Sequence, residues 1–214
     1  MDDKIKNEIK NAIAVMKNGG VILYPTDTIW GIGCDATNPD AVAKIYDIKH
    51  RSESKSMIVL VDSIFRAQNY VNELPDIAWD LVPIADKPLT IIYDGAKNLA
   101  HNLIAEDGSI AIRVTSETFS AELCNRFAKP IVSTSANISG NPAPHFFAEI
   151  DPQIINAVDY VVDYRRDDNK SAAPSSIIKL GVNGTVKIVK IQLHGILMEV
   201  YSLMMQLDVN LWMH

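Results

Sequence analysis

Short apolar runs that stop at proline or at hydroxyl-rich turns, set between helix-period stretches, constrain this chain more than any other feature. Val21-Ile22-Leu23-Tyr24 is apolar at every position and ends at Pro25. A strand without a polar face is buried on both sides, so it belongs in a sheet covered above and below. Met57 to Val61 reads the same way, and Leu89 to Tyr93, Ser109 to Val114 and Pro130-Ile131-Val132 also read as strands. Between them, residues 4–18 bring Ile5, Ile9, Ile13 and Met16 to one helical face and stop at Asn18-Gly19-Gly20. Asn38-Pro39 is a cap followed by proline at the first helical position; Val42, Ile45 and Tyr46 point inward and the helix ends near Lys49. Ser63 caps another helix, Pro75 opens one, and Phe119, Leu123 and Phe127 mark a further one. Tyr160 to Val162, Ser176 to Ile178 and Val186 to Val189 complete the strands. The last of these lack crossover helices, which predicts an α/β fold with a mixed sheet flanked by helices in a single domain.

That domain spans residues 1–190. Residues 191–214 differ: Leu193, Leu197, Val200, Met204, Leu207 and Leu211 form a heptad-like stripe too short for a credible coiled coil. The stripe fits a terminal helix packed on its own domain, a homodimer formed through the tail, or a tail not native to the fold.

The chain has 214 residues, 48% of them hydrophobic, enough to bury a full core. Its net charge of -6 argues against general nucleic-acid binding, which depends on neutralising phosphates, and leaves only a local basic site. Cys34 and Cys124 have no metal-site or disulfide-framework spacing and read as buried, reduced thiols. The N-terminus is charged from Asp2 onward, and no segment has the length and apolarity to span a bilayer, so a cytoplasmic protein is expected.

Three loops carry polar residues that folding alone does not require. Pro25 to Gly33 follows a buried strand with Thr26, Thr28 and two glycines. Ligands gather at the carboxyl ends of strands in open α/β sheets. A tight turn whose hydroxyls bond their own backbone accounts for the same composition. Ile48 to Lys55 gathers Lys49, His50, Arg51 and Lys55 where a helix ends. Solvated cations at a helix C-terminus explain them, and so does a phosphate clamp. Ser133 to Gly140 is dense in hydroxyls and small residues after an apolar strand, suited to oxyanions. Neither a Walker A loop nor a dinucleotide glycine fingerprint is present, and no metal ligands stand out. The residues by themselves point to a small anionic ligand held by three loops.

In order along the chain, the segments resemble those of the YrdC-like family of threonylcarbamoyl-AMP synthases. Gly19 to Gly31 is similar to its GG…PT[DE]T.YG opening, Lys49-His50-Arg51 to its Lys-x-Arg element, and Ser135-Ala136-Asn137 to its Ser-x-Asn element. Lys87-Pro88-Leu89-Thr90 resembles a Pro-Gly-Pro-x-Thr segment, and Ile110 to Val114 a strand ending in arginine. The resemblance covers residues 4–190 and implies a YrdC-like twisted open mixed sheet. It also implies a reaction in which ATP, L-threonine and bicarbonate give threonylcarbamoyl-AMP and pyrophosphate for tRNA adenosine modification. By motif position, Lys49 and Arg51 are the implied catalytic pair. Thr28, Arg113, Ser133 and Ser175 are the implied threonine ligands. Lys49, Arg51, Lys55, Ser109, Ser135, Asn137 and Lys190 are the implied ATP ligands. Magnesium would accompany ATP without dedicated protein ligands, and the tRNA threonylcarbamoyl-transfer machinery would take the product. Departures are Trp30 for Tyr, Ser52 for Pro, Leu60 for a His that contacts threonine in relatives, Lys87 for Gly, and Lys190 for a late Arg. The alternatives are a non-catalytic YrdC-like protein that contacts tRNA or double-stranded RNA, and a carbamoyl-adenylate former like the YrdC-like domains of hydrogenase maturation proteins.

Overall fold

The computed structural model describes residues 1–52, 57–168 and 174–190. Lys55 and the heptad-like stripe fall outside these residues. Nine strands appear among them: β1 (Ile22–Tyr24), β2 (Gly31–Gly33), β3 (Ile58–Val61), β4 (Leu89–Tyr93), β5 (Ile110–Val114), β6 (Ile131–Ser135), β7 (Tyr160–Val161), β8 (Ser176–Leu180) and β9 (Val186–Lys190). They form one open sheet in the order β7-β1-β2-β6-β3-β5-β4-β8-β9. Pairing is mixed: β1 with β7, β3 with β5 and β4 with β8 run parallel, and the other neighbours antiparallel. This is the predicted architecture.

The helices are α1 (Asp3–Lys17), α2 (Pro39–Ile48), α3 (Ile64–Ala67), α4 (Asp76–Ile84), α5 (Thr118–Phe127) and α6 (Pro152–Ala157). Their starts follow the caps in the sequence. Asp2 accepts from Lys4 N, Asn38 from Asp40 N and Ala41 N, and Ser63 from Arg66 N. None of the described helices is long and apolar enough to cross a membrane.

Side chains alternate across the sheet and divide the core in two. On one face Val59, Val61, Ile91, Ile112, Val132 and Ile178 meet α2, α3, α4 and α6 in the larger cluster. On the other, Ile22, Tyr24, Leu60 and Ile131 are covered by Ile9, Ala12 and Met16 of α1 and Phe119, Leu123 and Phe127 of α5. This second cover is partial. Farther along the same face Ile92, Ala111 and Ile177 are only half-buried. The polar residues of interest lie where the cover ends.

Two details differ from the sequence reading. Gly31-Ile32-Gly33, read as loop, is the strand β2 between β1 and β6. Glycine is required there because a Cβ on Gly33 would lie 2.5 Å from Val132 O and 2.6 Å from Tyr24 Cε1. The supposed loop from Ser133 is strand as far as Ser135. Alternation therefore puts Ser133 and Ser135 on the partly covered face, two and four residues from Ile131.

Candidate active site

The Pro25–Trp30 turn is built by its threonines. Thr26 Oγ1 donates to Ile29 O (2.8 Å) and accepts from Thr28 N (3.1 Å). Its single proton is then spent, so in the 3.0 Å contact between the two hydroxyls Thr28 is the donor. A lone pair of Thr28 Oγ1 is left to accept from Arg113 Nη2 at 3.3 Å. Thr26 thus makes the turn-forming bonds to its own loop, and Thr28 is turned toward Arg113.

Arg113 sits on β5 with Leu60 of β3 and Thr90 of β4 as its register partners. Its side chain is 3% exposed and lies 3.0 Å from Asp27 Oδ1, whose side chain is 7% exposed. The pair is poorly aligned for hydrogen bonding: Asp27 Oδ1 and Arg113 Nε both lack a hydrogen-bond partner. Burial raises the Asp27 pKa, and the arginine opposes that shift. A buried guanidinium with an unused donor beside a carboxylate that satisfies it badly is arranged for an incoming anion.

Arg113 lines a cleft of about 130 Å³ with Thr28, Trp30, Ser133, Ser135 and Ser175. That is small beside the several hundred Å³ of a usual ligand pocket, and suits an amino acid better than a whole nucleotide. Trp30 is 5% exposed and packs on Phe147 with ring centroids 4.8 Å apart, giving the cleft an aromatic wall. Ser175 shares a hydrogen bond of 2.7 Å with Thr90. A second cleft of about 200 Å³ lies beside the first, with Asp27, Asp86, Lys87, Pro88 and Ser116 on its walls.

Lys49 is 1% exposed. Its ammonium donates to Ser135 O (2.5 Å), Asn137 O (2.6 Å) and Asn137 Oδ1 (3.3 Å). Of the two readings of this helix-end cation, the solvated one does not hold, because Lys49 is internal. Asn137 is equally committed. Its Oδ1 also accepts from Ser135 Oγ at 2.5 Å, and its Nδ2 donates to Ile138 O and Asn141 O. Arg51 is half-buried at this corner, after His50 in a left-handed conformation (φ 48°).

The implied residues therefore divide. Thr28, Arg113, Ser133, Ser135 and Ser175 meet in one cleft, and Lys49 and Asn137 underlie it. Ser109 stands apart, its hydroxyl donating to Asp107 in the turn before β5. Lys190 is exposed at the end of the edge strand, opposite Ile177. Leu60 is fully buried against α1 and α5 next to Arg113 and offers it no polar partner. Asp27 and Thr90 were given no role from the sequence, although both lie inside quoted motifs. Arg165 carried no signal at all: from φ 60° it donates to Thr26 O at 3.1 Å and lies 3.5 Å from Glu117, tying the threonine turn to the start of α5.

A mixed sheet with a buried arginine and converging hydroxyls at its helix-free margin defines an α/β protein with a small polar cleft whose one buried cation is Arg113 among the cleft's lining residues. The chain belongs to the Sua5/YciO/YrdC family, described as telomere recombination, which it matches over residues 14–191. It is 35% identical over 184 residues to the threonylcarbamoyl-AMP synthase of Pseudoalteromonas translucida (strain TAC 125), covering 85% of this chain and 97% of that protein. A second such synthase, from Stenotrophomonas maltophilia (strain K279a), is 33% identical over 72% of this chain and 85% of its own. Among solved structures, E. coli YciO superposes with a TM-score of 0.76 at 22% identity, covering 89% of this chain and 92% of that one. P. abyssi Sua5 complexed with L-threonine gives 0.72 at 22% identity, covering 80% and 50%.

Proposed function

We propose that this protein is a threonylcarbamoyl-AMP synthase, a nucleotidyltransferase that joins L-threonine, bicarbonate and ATP and releases pyrophosphate. The observation that carries this reading is Arg113, a buried guanidinium with a spare donor at a cleft of amino-acid size. In this reading Arg113 takes the threonine carboxylate and Thr28 assists. Ser133 and Ser175 bond the remaining polar atoms, and Trp30 closes the wall. The threonine amine attacks bicarbonate, forming the carbamate C–N bond as a C–O bond breaks and water leaves, and a carbamate oxygen is then directed at the α-phosphorus of ATP. An in-line displacement then forms the carbamate–phosphorus bond and breaks the bond to pyrophosphate, which leaves with the electron pair. Such a transfer depends on positioning and charge stabilisation more than on an acid or base. Arg51 and the Ser135 corner are the cationic and hydroxyl groups next to the cleft for the triphosphate. ATP enters as its magnesium complex. Among the described residues no cluster of three or more His, Cys, Asp or Glu side chains is placed to hold a metal ion of its own. The adenylate would then pass to the machinery that transfers threonylcarbamoyl to tRNA.

The test is pyrophosphate release by the purified protein, with and without threonine and bicarbonate. Release that requires both co-substrates, and the adenylate in the product mixture, is expected. No release from any mixture, combined with salt-dependent binding of tRNA or double-stranded RNA without ATP, would replace the synthase with the RNA-binding alternative.

A further inference from the structure

Lys49 is the charged group in this site whose partners do not match a ligand-binding role. A lysine that serves phosphate keeps its ammonium open toward the site. This one is closed to solvent, and its three donors meet three oxygens of a single turn, residues 135–137. None of the three oxygens belongs to a carboxylate, so among the described residues the ammonium is solvated by dipoles. The turn is wound about it. Ser135 O and Asn137 O converge on the ammonium, Asn137 Oδ1 bridges it to Ser135 Oγ, and Ser139 N returns to Lys49 O at 2.9 Å. The Lys-x-Arg and Ser-x-Asn segments, some 86 residues apart in sequence, are one hydrogen-bonded unit.

We propose that Lys49 is a positioning residue: it is the internal cation that shapes the Ser135–Asn137 turn, and it governs nucleotide affinity through that turn without touching the triphosphate. The inference rests on the synthase reading for the identity of the nucleotide, but not for the state of the turn. Burial, and secondarily the nearby Arg51 charge, lower the Lys49 pKa to about 8. Among the described residues, Asp47, His50 and Arg51 are the titratable groups next to Lys49 in the chain, Arg51 being the one whose charge acts on it, and the facing turn contributes Ser135, Asn137 and Ser139, none of which titrates. Deprotonation leaves an amine with two N–H donors for three acceptors. The turn then loses a contact, and the site loses a positive charge.

Two measurements on the full chain decide the matter. In ligand-free protein, the Asn137 side-chain amide and the Lys49 Nζ nitrogen, followed by NMR with ¹⁵N labelling, should shift together with a midpoint near pH 8. Calorimetric titration with ATP at several salt concentrations then compares wild type, Lys49→Met and Arg51→Ala. Lys49→Met should weaken binding by about ten- to a hundredfold, the scale of one or two lost charge-assisted hydrogen bonds. Its salt dependence should match wild type, and the loss of affinity above pH 8 should vanish. Arg51→Ala should flatten the salt dependence, as loss of a direct phosphate contact does. A Lys49→Met that flattens the salt slope like Arg51→Ala, or a Lys49 nitrogen that titrates without Asn137, overturns the proposal. A wild type that binds no ATP would fell the synthase reading while the NMR titration still judges Lys49, so the two failures are separable. Because that titration uses unmodified protein, a Lys49→Met chain that fails to fold does not shield the idea.

Discussion

The Arg113–Asp27 pair contains the sharpest tension at the scale of single residues. Removing one partner of a buried ion pair strands the other, at a cost of about 3–5 kcal/mol. Asp27→Asn should therefore lower stability in urea unfolding by that order. It should also free Arg113 of a competing anion, so under the proposed function threonine should bind the surviving folded protein more tightly in calorimetry. Tighter binding with lower stability would identify Asp27 as an internal stand-in for the substrate carboxylate. Unchanged affinity would reduce it to a structural partner. Arg113→Lys keeps a charge but loses the fork, and should cost on the order of 10²-fold or more in the rate of pyrophosphate release. Little of this was visible in the chain. Arg113 and Thr28 were legible through the motifs around them. Asp27 sat in the same motif, but its role depends on a guanidinium 86 positions later. Lys49 was misleading for a similar reason. A cation at a helix end reads as solvated, and its burial is set by a turn that only the folded sheet brings over it.

Elements were easier to foresee than residues, because their signals are local. Caps at Asn38 and Ser63 and the apolar periodicity of α1, α2 and α5 marked the helices, and wholly apolar runs marked β1 and β3. β2 was invisible because two of its three residues are glycine, which disfavours strand and signals turn. Tertiary crowding explains the choice: Gly33 is pressed against Val132 O and the Tyr24 ring. Gly33→Ala should thus destabilise the protein by about 1–3 kcal/mol, the usual range for overpacking, read as a lowered midpoint in thermal denaturation. The outer glycine, Gly31, would place its Cβ 3.3 Å from Ser133 Oγ, a side-chain atom in the cleft. Gly31→Ala should accordingly disturb ligand binding more than stability. The hydroxyl run after Val132 hid the end of β6 for a different reason. Serine and threonine are common in turns, yet alternation along a strand is what aims Ser133 and Ser135 at one side.

For the whole molecule, the fold class was legible and the location of the site was not. Strand and helix order implied a mixed layered sheet, but only the three-dimensional cover shows that α1 and α5 stop short and leave a polar margin. Global stability should also carry the mark of Lys49. Its folded pKa lies near 8 and its unfolded value near 10.5, so between these limits the unfolded chain holds more protons. Stability should rise with pH across that window. The difference in unfolding free energy between wild type and Lys49→Met should follow the same curve, and a flat difference would contradict the buried ammonium. Strand β6 bears a consequence of another kind. Among the described residues, the N-terminal strands β1 and β2 are hydrogen-bonded into the β3–β5–β4 group only through β6, which pairs with β2 on one side and β3 on the other. On the ribosome, the first 130 residues can therefore yield a hairpin and a separate three-stranded sheet, but not a closed core. The nascent chain should stay protease-sensitive until Ser135 has cleared the exit tunnel and should then become resistant in one step, with a single late segment acting as the keystone of assembly.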